Sequence, residues 1–427
     1  MNHSNYLKKT VFLFVMLSLF ISFRLIQTLH AQSGVITPLP SSTPWFSVQS
    51  VDTMKVSRDL AREKLSDPTF DTVIQQQVQN IKNVGATYVA VGTPYDEEFV
   101  PYLTRWVTAA RKVGLHVWFR GNFSGWEGWF DYPSITRDQH LQKLEAFITA
   151  HPELFATGDI FTPCHECENG GPGDPRSTGD VAGFRAFTIA ERNTAQAAFA
   201  KIHKDVYAGY FGTNGDVASL IMDQDTTSQL GGVVTVDHYV QSDADMARDV
   251  QAYETQANAK VMIGEFGSPI PDINGDQTPE EQAAWLDKTL HVLATNPGVV
   301  GVNYWAATDS STELWNADGS PRPAVAVLEK YYKPKTAAVS ITDDVAEPLA
   351  NAHVSTTLQS KTTDGKGNAI IPVLDQSTIA TVSASGYLDQ TIILTANQPT
   401  QEVILQVAQE TLIGKLRRFF FHYFHWF

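Results

Sequence analysis

The sequence predicts an α/β protein in which a (β/α)8 barrel is followed by a small β-sandwich. Between residues 45 and 334, short apolar runs alternate with amphipathic helical patterns, which is typical of parallel strands joined by crossover helices. Eight such units can be counted, and a barrel of eight units typically takes about 250 residues. Residues 336–408 instead alternate polar and apolar side chains, are rich in Thr and Val, and contain turn signals such as Asp364-Gly365.

The barrel strands are predicted from short apolar runs bounded by polar or turn residues. In chain order the predicted strands are Trp45–Val51, Thr87–Gly92, His116–Arg120, Asp159–Pro163, Val206–Phe211, Val233–Tyr239, Lys260–Phe266 and Val299–Trp305.

The predicted helices carry apolar residues at helical spacing. They are Asp71–Val84, Pro101–Val113, Asp138–Ala150, Ala190–Ile202, Ala244–Ala257, a helix from Thr278 to about Thr295, and Pro323–Tyr332. The helix after Thr278 has the clearest start signal, because a Thr cap is followed by Pro279 at the first helical position and Glu281 at the third.

The two ends of the chain differ from the predicted domains. Residues 1–31 combine two lysines, an apolar run from Val11 to Phe23 and the small residue Ala31, which is the plan of a secretory signal. The run is shorter than the about 20 residues of a membrane span, so we predict export, with the segment either cleaved or kept as a membrane anchor. Residues 32–44 are rich in Pro and Ser and are predicted to be a linker.

Residues 409–427 form a basic and aromatic tail that ends in RRFFFHYFHWF. Two interpretations stay open: a short helix packed on the β-domain, or a segment lying on a membrane surface, where basic and aromatic residues are favoured. The formal net charge of the chain is −15, which argues against a nucleic-acid partner, since such a partner calls for a basic surface.

Glutamates follow two of the predicted strands at the barrel end where active sites of this fold lie. Glu265 ends a fully apolar seventh strand within IGEFG, and burying a carboxylate there without a role would cost several kcal/mol. The fourth strand runs into the loop PCHECEN, which contains Glu166 and Glu168. Strands four and seven face each other across the barrel, so a glutamate on each can flank a glycosidic bond, whose hydrolysis needs one carboxylic acid and one carboxylate.

This arrangement resembles the clan A glycoside hydrolases, the group that includes the cellulase-like family 5. The resemblance covers residues 45–334 and implies that Glu265 is the nucleophile of a retaining mechanism and that a glutamate after strand four is the acid/base. In the group the acid/base follows an Asn, whereas here Glu166 follows His165 and Glu168 follows Cys167. Glu166 is preferred because it is closer to the strand, and His165 would then take the place of the Asn that holds the sugar 2-hydroxyl.

Two further strand ends carry the same resemblance. The sixth strand ends in Asp237-His238-Tyr239, and the group often has His and Tyr there, with the Tyr hydrogen-bonded to the nucleophile. The eighth ends in Asn303-Tyr304-Trp305, and the group has a Trp there that forms a floor under the sugar. The resemblance thus implies that His238, Tyr239 and Trp305 contact substrate, and we expect Glu168, the second candidate for the acid/base, to contact it too. The β-domain is similar to Ig-like, carboxypeptidase-regulatory-type modules, through its TTDGKGNA and ASGY segments.

Several neighbouring residues allow more than one interpretation. Arg120, at the end of strand three, can orient the nucleophile, bind a sugar hydroxyl or form a structural ion pair. Trp126 and Trp129 in the following loop can stack on sugar rings or pack the loop. Cys164 and Cys167 can form a local disulfide, stay as free thiols, or bind a metal with His165. A second ligand pair is missing, so we predict neither a metal nor another cofactor.

The sequence therefore predicts an exported or cell-surface retaining glycosidase that acts on a poly- or oligosaccharide. Two alternatives remain. One is a non-catalytic barrel that binds glycans at the cell surface, which the replacement of the group's Asn by His165 would favour. The other is a transglycosylase, which would use the same two carboxylates with a sugar as acceptor.

Overall fold

The computed structural model describes residues 45–408. The predicted signal or anchor (1–31), the linker (32–44) and the tail (409–427) lie outside the described residues. Within 45–408, no helix has the length and apolar character needed to cross a membrane.

Eight parallel strands form the first sheet, in the order β5-β4-β3-β2-β1-β8-β7-β6. An isolated parallel bridge links Asn214, in the segment after β5, to Asp237 of β6, which brings the two ends of the sheet together. The strands are β1 Val48–Asp52, β2 Tyr88–Val91, β3 His116–Phe119, β4 Ile160–Phe161, β5 Tyr207–Ala208, β6 Val233–Asp237, β7 Lys260–Phe266 and β8 Val299–Tyr304. This confirms the predicted (β/α)8 barrel followed by a small β-domain.

The helices that pack outside the strands follow the predicted order. The α-helices are Met54–Ser57, Ala61–Lys64, Asp71–Asn83, Val100–Lys112, Ser124–Glu127, Arg137–Ala150, Pro175–Thr178, Val181–Lys201, Gly215–Ile221, Gln224–Gln229, Asp243–Ala257, Pro271–Asn274, Pro279–Thr295 and Pro323–Tyr332. Short 3₁₀ turns lie at Pro68–Phe70, Glu97–Phe99, Pro152–Leu154 and Cys167–Asn169. The predicted start at Thr278 is confirmed: its side chain accepts from Glu281 N, and the Glu281 side chain accepts from Thr278 N, which closes a capping box.

The helix after strand four starts earlier than predicted. It begins at Val181 rather than Ala190, because the Asp180 carboxylate accepts a hydrogen bond from Gly183 N at 2.9 Å and caps it. The sequence prediction also missed Gly215–Ile221 and Gln224–Gln229, two short helices that form the connection between β5 and β6. These two missed helices have seven and six residues, too few to show a clear helical repeat of apolar side chains.

The apolar core of the barrel lies mainly between the strands and the surrounding helices, and a smaller cluster fills the barrel interior. That inner cluster includes Val48, Ala90, Trp118, Ile160 and Met262, all buried. Side chains of alternate strands fill the interior of such barrels. Apolar side chains therefore fill the interior of the barrel. The polar residues of the candidate site lie over this layer, at the C-terminal ends of the strands.

The β-domain consists of two sheets that enclose a separate apolar core. One sheet has the order β11-β10-β13-β14 and is antiparallel; the other has the order β12-β9-β15, in which β9 and β15 are parallel. Their bounds are β9 Lys335–Asp343, β10 His353–Thr356, β11 Ser360–Thr362, β12 Asn368–Val373, β13 Ser377–Ser383, β14 Gln390–Thr395 and β15 Gln401–Leu405. Leu358 and Leu374 pack against the barrel core, which ties the two domains together.

Candidate active site

A buried polar cluster occupies the C-terminal end of the barrel. It is built from side chains at four strand ends: Asp52 of β1, Arg120 directly after β3, Asp237 of β6 and Glu265 of β7. Each is at most 5% exposed. Isolated buried charges are strongly disfavoured, so their presence together indicates mutual pairing.

Both carboxylate oxygens of Glu265 are in contact with donor groups. Oε1 lies 3.0 Å from Arg120 Nη2 and 3.3 Å from His165 Nε2, and Oε2 accepts from Tyr239 Oη at 2.8 Å. Burial by itself opposes ionisation of Glu265, but the Arg120 charge and the donors His165 and Tyr239 outweigh it and lower the pKa to about 2. Glu265 is therefore a fixed carboxylate at neutral pH.

Arg120 is the central cation of this cluster. It forms a close ion pair with Asp52, lies 3.5 Å from Asp237 Oδ1, and donates from Nη2 toward His165 Nδ1 at 3.2 Å. Burial opposes its charge, yet the surrounding carboxylates raise its pKa. Of the roles left open by the sequence, the geometry places Arg120 against the predicted nucleophile.

Asp52 and Asp237 are two acidic neighbours that the sequence prediction passed over. Burial raises the pKa of each, and the negative charge of Glu265 raises both further. One guanidinium thus faces three carboxylates, those of Asp52, Asp237 and Glu265. Oδ2 of Asp237 has no hydrogen-bond partner among the described residues.

The glycines on either side of Glu265 are explained by close contacts. A Cβ on Gly264 would lie 2.3 Å from Asp237 Oδ1, and a Cβ on Gly267 would lie 2.3 Å from the Trp305 carbonyl oxygen. Both distances are far below van der Waals contact. The IGEFG pattern therefore lets strand β7 approach its neighbours on both sides of the carboxylate.

Glu166 lies in the loop after β4 and faces the same cluster. Its backbone has φ 42° and ψ 50°, in the left-handed region that non-glycine residues seldom adopt. Oε2 lies 3.8 Å from His165 Nε2, the nitrogen that is 3.3 Å from Glu265 Oε1. The two carboxylate oxygens are thus no further apart than the sum of these distances, a bound that admits the about 5–5.5 Å of retaining glycosidases and reaches only the short end of the roughly 6.5–9.5 Å of inverting ones.

The protonation of Glu166 is opposite to that of Glu265. Burial raises the pKa of Glu166 to about 8, with further contributions from the negative charges of Glu265 and Glu168. At neutral pH the pair therefore consists of one carboxylic acid and one carboxylate. This is the division that an acid and a nucleophile require.

Glu168 points away from this pair. Its Oε1 accepts from Asn214 N at 2.6 Å and from Asn214 Nδ2 at 3.2 Å, in the segment that joins β5 to β6. Burial raises its pKa to about 7. The structure brings Glu166 rather than Glu168 to His165 and Glu265.

His165 stands between the two glutamates. Burial and the nearby Arg120 charge lower its pKa to about 4, so the ring is neutral at pH 7. Arg120 donates toward Nδ1, and Nε2 faces the Glu265 carboxylate, so we assign the neutral tautomer with its proton on Nε2. In this form His165 donates a hydrogen bond to Glu265.

The two cysteines form a disulfide that brackets His165 and Glu166, with their Cα atoms 5.3 Å apart. Of the three states left open by the sequence, the structure has the bridged one. Both cysteines are buried. The bridge joins the residues on both sides of His165 and Glu166 into a short closed loop. It therefore restricts the left-handed backbone of Glu166.

Trp126 does not lie where a sugar platform would require. It is 3% exposed, its ring stacks on Phe187 at 5.0 Å, and its Nε1 donates to the Cys167 carbonyl oxygen at 3.0 Å. Of the two roles left open for Trp126, the structure shows loop packing: the ring lies beneath the loop Cys164–Cys167, here called the acid loop. Trp129 in the same segment is 38% exposed, with Arg58 4.6 Å from its ring centroid.

The structure places Tyr239 and Trp305 near Glu265, but it places the His238 ring elsewhere. Trp305 directly follows β8 and is partly exposed, close to the Glu265 strand through Trp305 N→Phe266 O at 2.9 Å. His238 Nε2 lies 3.0 Å from Asp249 Oδ2, on the helix outside the barrel. Tyr239 and Trp305 therefore lie near Glu265 at the C-terminal end of the barrel strands, whereas the His238 ring pairs with Asp249 outside the barrel.

Three side chains of the cluster offer ligand atoms at metal-binding distances. Atoms of His165, Asp237 and Glu265 lie within 4.8 Å of one another. Arg120 Nη2 already contacts all three residues, so a divalent ion there would face a fixed positive charge. These residues fit an arginine-centred cluster better than a metal site.

Comparisons with known proteins bear on the fold. No family model and no curated protein matches the chain. Among solved structures, a variant of GH5_18 from Bifidobacterium longum subsp. longum, in complex with Manb1-4GlcNAc, aligns with 15% identity and a TM-score of 0.51 over 71% of this chain and 84% of that chain. GH5_18 from Streptomyces cattleya, in complex with GlcNAc, aligns with 15% identity and a TM-score of 0.48 over 71% of this chain and 85% of that chain.

A third similar structure is β-glucuronidase 2 from Bacteroides uniformis, with 13% identity and a TM-score of 0.46. The alignment covers 78% of this chain but 44% of that one, so the chain spans less than half the length of the β-glucuronidase. At such identities the likeness establishes the fold alone. The chain has a (β/α)8 barrel of the kind that glycoside hydrolases also have.

Proposed function

We propose that the protein is a glycoside hydrolase that cleaves O-glycosidic bonds with retention of configuration. The observation that carries this proposal is the pair Glu166 and Glu265. Both carboxyl groups lie close to His165 Nε2, and their pKa values of about 8 and about 2 leave one protonated and one ionised. Retaining glycosidases need such a pair at short separation, about 5–5.5 Å.

In the first step of this mechanism, Glu265 attacks the anomeric carbon of the sugar. The bond from that carbon to the leaving oxygen breaks while Glu166 gives its proton to that oxygen. Tyr239 and Arg120 hold the attacking carboxylate in place through their contacts of 2.8 and 3.0 Å. In the second step Glu166, now ionised, takes a proton from water, and the water oxygen displaces Glu265 from the anomeric carbon.

The contacts of His165 weaken the argument for a non-catalytic barrel. The sequence favoured that alternative because His165 replaces the Asn of the resembled group. In the structure His165 donates to Glu265 and so supports a carboxylate that a simple binding site would not need. The proposal of a hydrolase is therefore better supported.

The experiment is a panel of aryl glycosides and oligosaccharides, assayed with the wild-type protein and with Glu265→Gln. Manb1-4GlcNAc belongs in the panel because it is bound by a protein with the same fold. We expect hydrolysis of at least one β-linked substrate by the wild type and its loss in Glu265→Gln. Activity that survives Glu265→Gln would refute the assignment, and sugar-to-sugar transfer products would indicate a transglycosylase.

We further propose that the protein is exported, to the medium or to the cell surface. The pattern of residues 1–31 supports this, and so does the Cys164–Cys167 disulfide, since disulfides persist mainly in oxidising compartments. Attachment to a membrane through residues 1–31 or 409–427 is part of the same proposal. Fractionation of producing cells into medium, membrane and cytoplasm tests it, and recovery in the cytoplasm alone would refute it.

A further inference from the structure

A second buried polar group lies behind the acid loop and takes no part in the mechanism above. It consists of Asn122, which follows β3, His140 on the helix Arg137–Ala150, and Glu191 on the helix Val181–Lys201. His140 and Glu191 are fully buried, and Asn122 is 5% exposed. Polar side chains at such depth need a structural or functional reason.

The three residues form one hydrogen-bonded chain. His140 Nδ1 lies 2.9 Å from Glu191 Oε1, and His140 Nε2 lies 2.8 Å from Asn122 Oδ1. At its other end, Asn122 Nδ2 donates to the His165 carbonyl oxygen at 3.4 Å and toward Cys164 Sγ at 3.6 Å. The chain thus runs from a surface-side helix to the backbone of the loop that carries Glu166.

The direction of the hydrogen bond between His140 and Asn122 is fixed by a second contact. Asn122 Oδ1 also accepts from Phe123 N at 2.8 Å, so the amide oxygen and not the nitrogen faces His140. His140 Nε2 must therefore carry a proton. On the other side of the ring, Nδ1 faces Glu191 Oε1 at 2.9 Å, and burial raises the pKa of Glu191. The Nε2 proton lies on the Asn122 side of the ring.

Aromatic rings enclose His140 and continue the connection to the acid loop. Phe123, Trp126 and Phe187 surround the imidazole with ring centroids 5.1, 4.9 and 5.8 Å away, all edge-on. Trp126 in turn donates to the Cys167 carbonyl oxygen. Asn122 and Trp126 therefore hold the Cys164–Cys167 loop at both ends, and both contact His140.

We propose that the Asn122–His140–Glu191 chain is a positioning network that holds the acid loop in the conformation in which Glu166 faces Glu265. This inference rests on the proposed function for its effect on catalysis, but not for its effect on the loop. Glu166 adopts a left-handed backbone conformation, which costs on the order of 1–3 kcal/mol and persists only where the surroundings enforce it. The network and the disulfide supply that enforcement from the side opposite the cleft.

Two substitutions of His140 separate positioning from simple stability. His140→Leu removes both hydrogen bonds, whereas the amide nitrogen of His140→Gln reaches the position of Nε2 and keeps the donor to Asn122. The control is Asp159→Asn, which removes another buried, ion-paired carboxylate near the opposite end of β4, away from the acid loop. Thermal unfolding of all three variants gives the loss of stability.

The first measurement does not depend on activity. Amide hydrogen exchange is followed at Glu166 N, which donates to Gly212 O, and at Gly171 N, which donates to Trp126 O. We expect faster exchange at both amides in His140→Leu, and exchange close to wild type in His140→Gln and Asp159→Asn. Equal exchange in His140→Leu and Asp159→Asn would overturn the positioning network, whether or not the protein hydrolyses glycosides.

The second measurement is the pH profile on a substrate that the wild type hydrolyses. In His140→Leu we expect kcat to fall about 10- to 100-fold with KM nearly unchanged, the effect of a small misplacement of a reacting group. The alkaline limb should also move to lower pH, because a looser loop admits water to Glu166 and lowers its pKa. His140→Gln should restore both. A His140→Leu profile whose alkaline limb lies at the wild-type pH would contradict the proposal. If the wild type is inactive on every substrate but exchange is faster in His140→Leu, the result counts against the proposed function only.

Discussion

Replacing Glu166 by glutamine tests the general acid directly, and Glu168→Gln is the matched control. Each substitution exchanges one carboxyl oxygen for an amide nitrogen and leaves the shape of the side chain unchanged. The two glutamates lie in the same loop, but only Glu166 approaches His165 and Glu265. The sequence favours Glu166 only through its position closer to the strand, so the comparison decides a specific structural claim.

The size of the expected effect follows from protonation and from the leaving group. With a pKa of about 8, roughly nine-tenths of Glu166 is protonated at pH 7, whereas a glutamate with the usual pKa of about 4.3 would be protonated well below one per cent. General acid catalysis contributes about 10²–10⁴-fold. Glu166→Gln should therefore lose about that factor on alkyl glycosides, and much less on dinitrophenyl glycosides, whose leaving group departs without a proton.

The assay is the pH dependence of kcat/KM for both leaving groups in the two variants. The wild type should lose activity as pH rises through about 8, because the acid must be protonated. Glu166→Gln should lack this alkaline limb. Glu168→Gln should keep most of its activity, with the limb at slightly lower pH, because one negative neighbour of Glu166 is removed. The reasoning is refuted if Glu168→Gln shows the leaving-group dependence and Glu166→Gln does not.

Three further predictions concern the surroundings of the pair. Tyr239→Phe removes a hydrogen bond that stabilises the Glu265 carboxylate, so the pKa of Glu265 should rise. Because activity is lost as pH falls through that pKa, the acidic limb of the kcat/KM profile should move to higher pH. An acidic limb that does not move would argue against the contact. Gly264→Ala places a methyl group 2.3 Å from Asp237 Oδ1 and should destabilise the fold by about 1–3 kcal/mol in chemical denaturation, where a stability equal to wild type would contradict the close packing. Trp129→Ala removes an exposed ring in the loop after β3 and should raise KM for oligosaccharides more than for aryl monosaccharides, with kcat nearly constant. Equal KM changes for both would indicate that the ring does not bind sugar.

The overall fold could be predicted because its signals are local. Each barrel strand is a short apolar run, and each crossover helix repeats apolar residues at helical spacing, so Lys260–Phe266 was predicted with the bounds that the structure has. The capping box at Thr278 needs only four consecutive residues. The helix from Val181 was predicted too short, although Phe184 and Phe187 near its start are buried at helical spacing.

Part of the candidate site could be predicted by the same logic. Strand ends lie at one face of the barrel, so Glu265, Tyr239 and Arg120 could be grouped from their positions in the sequence alone. That rule would also have identified Asp52 and Asp237, which end β1 and β6.

The sequence by itself determined the (β/α)8 architecture, the β-domain and the strand ends at which the carboxylates meet, since these depend on residues close together in the chain. Only the tertiary structure decided which glutamate of the acid loop faces Glu265, because that depends on a single left-handed residue and on contacts across the barrel. It also decided that Trp126 supports the loop from below and that His140 and Glu191 stand behind it. Their roles come from contacts between two helices and the segment after β3, and no local pattern marks a residue whose partner lies on another element.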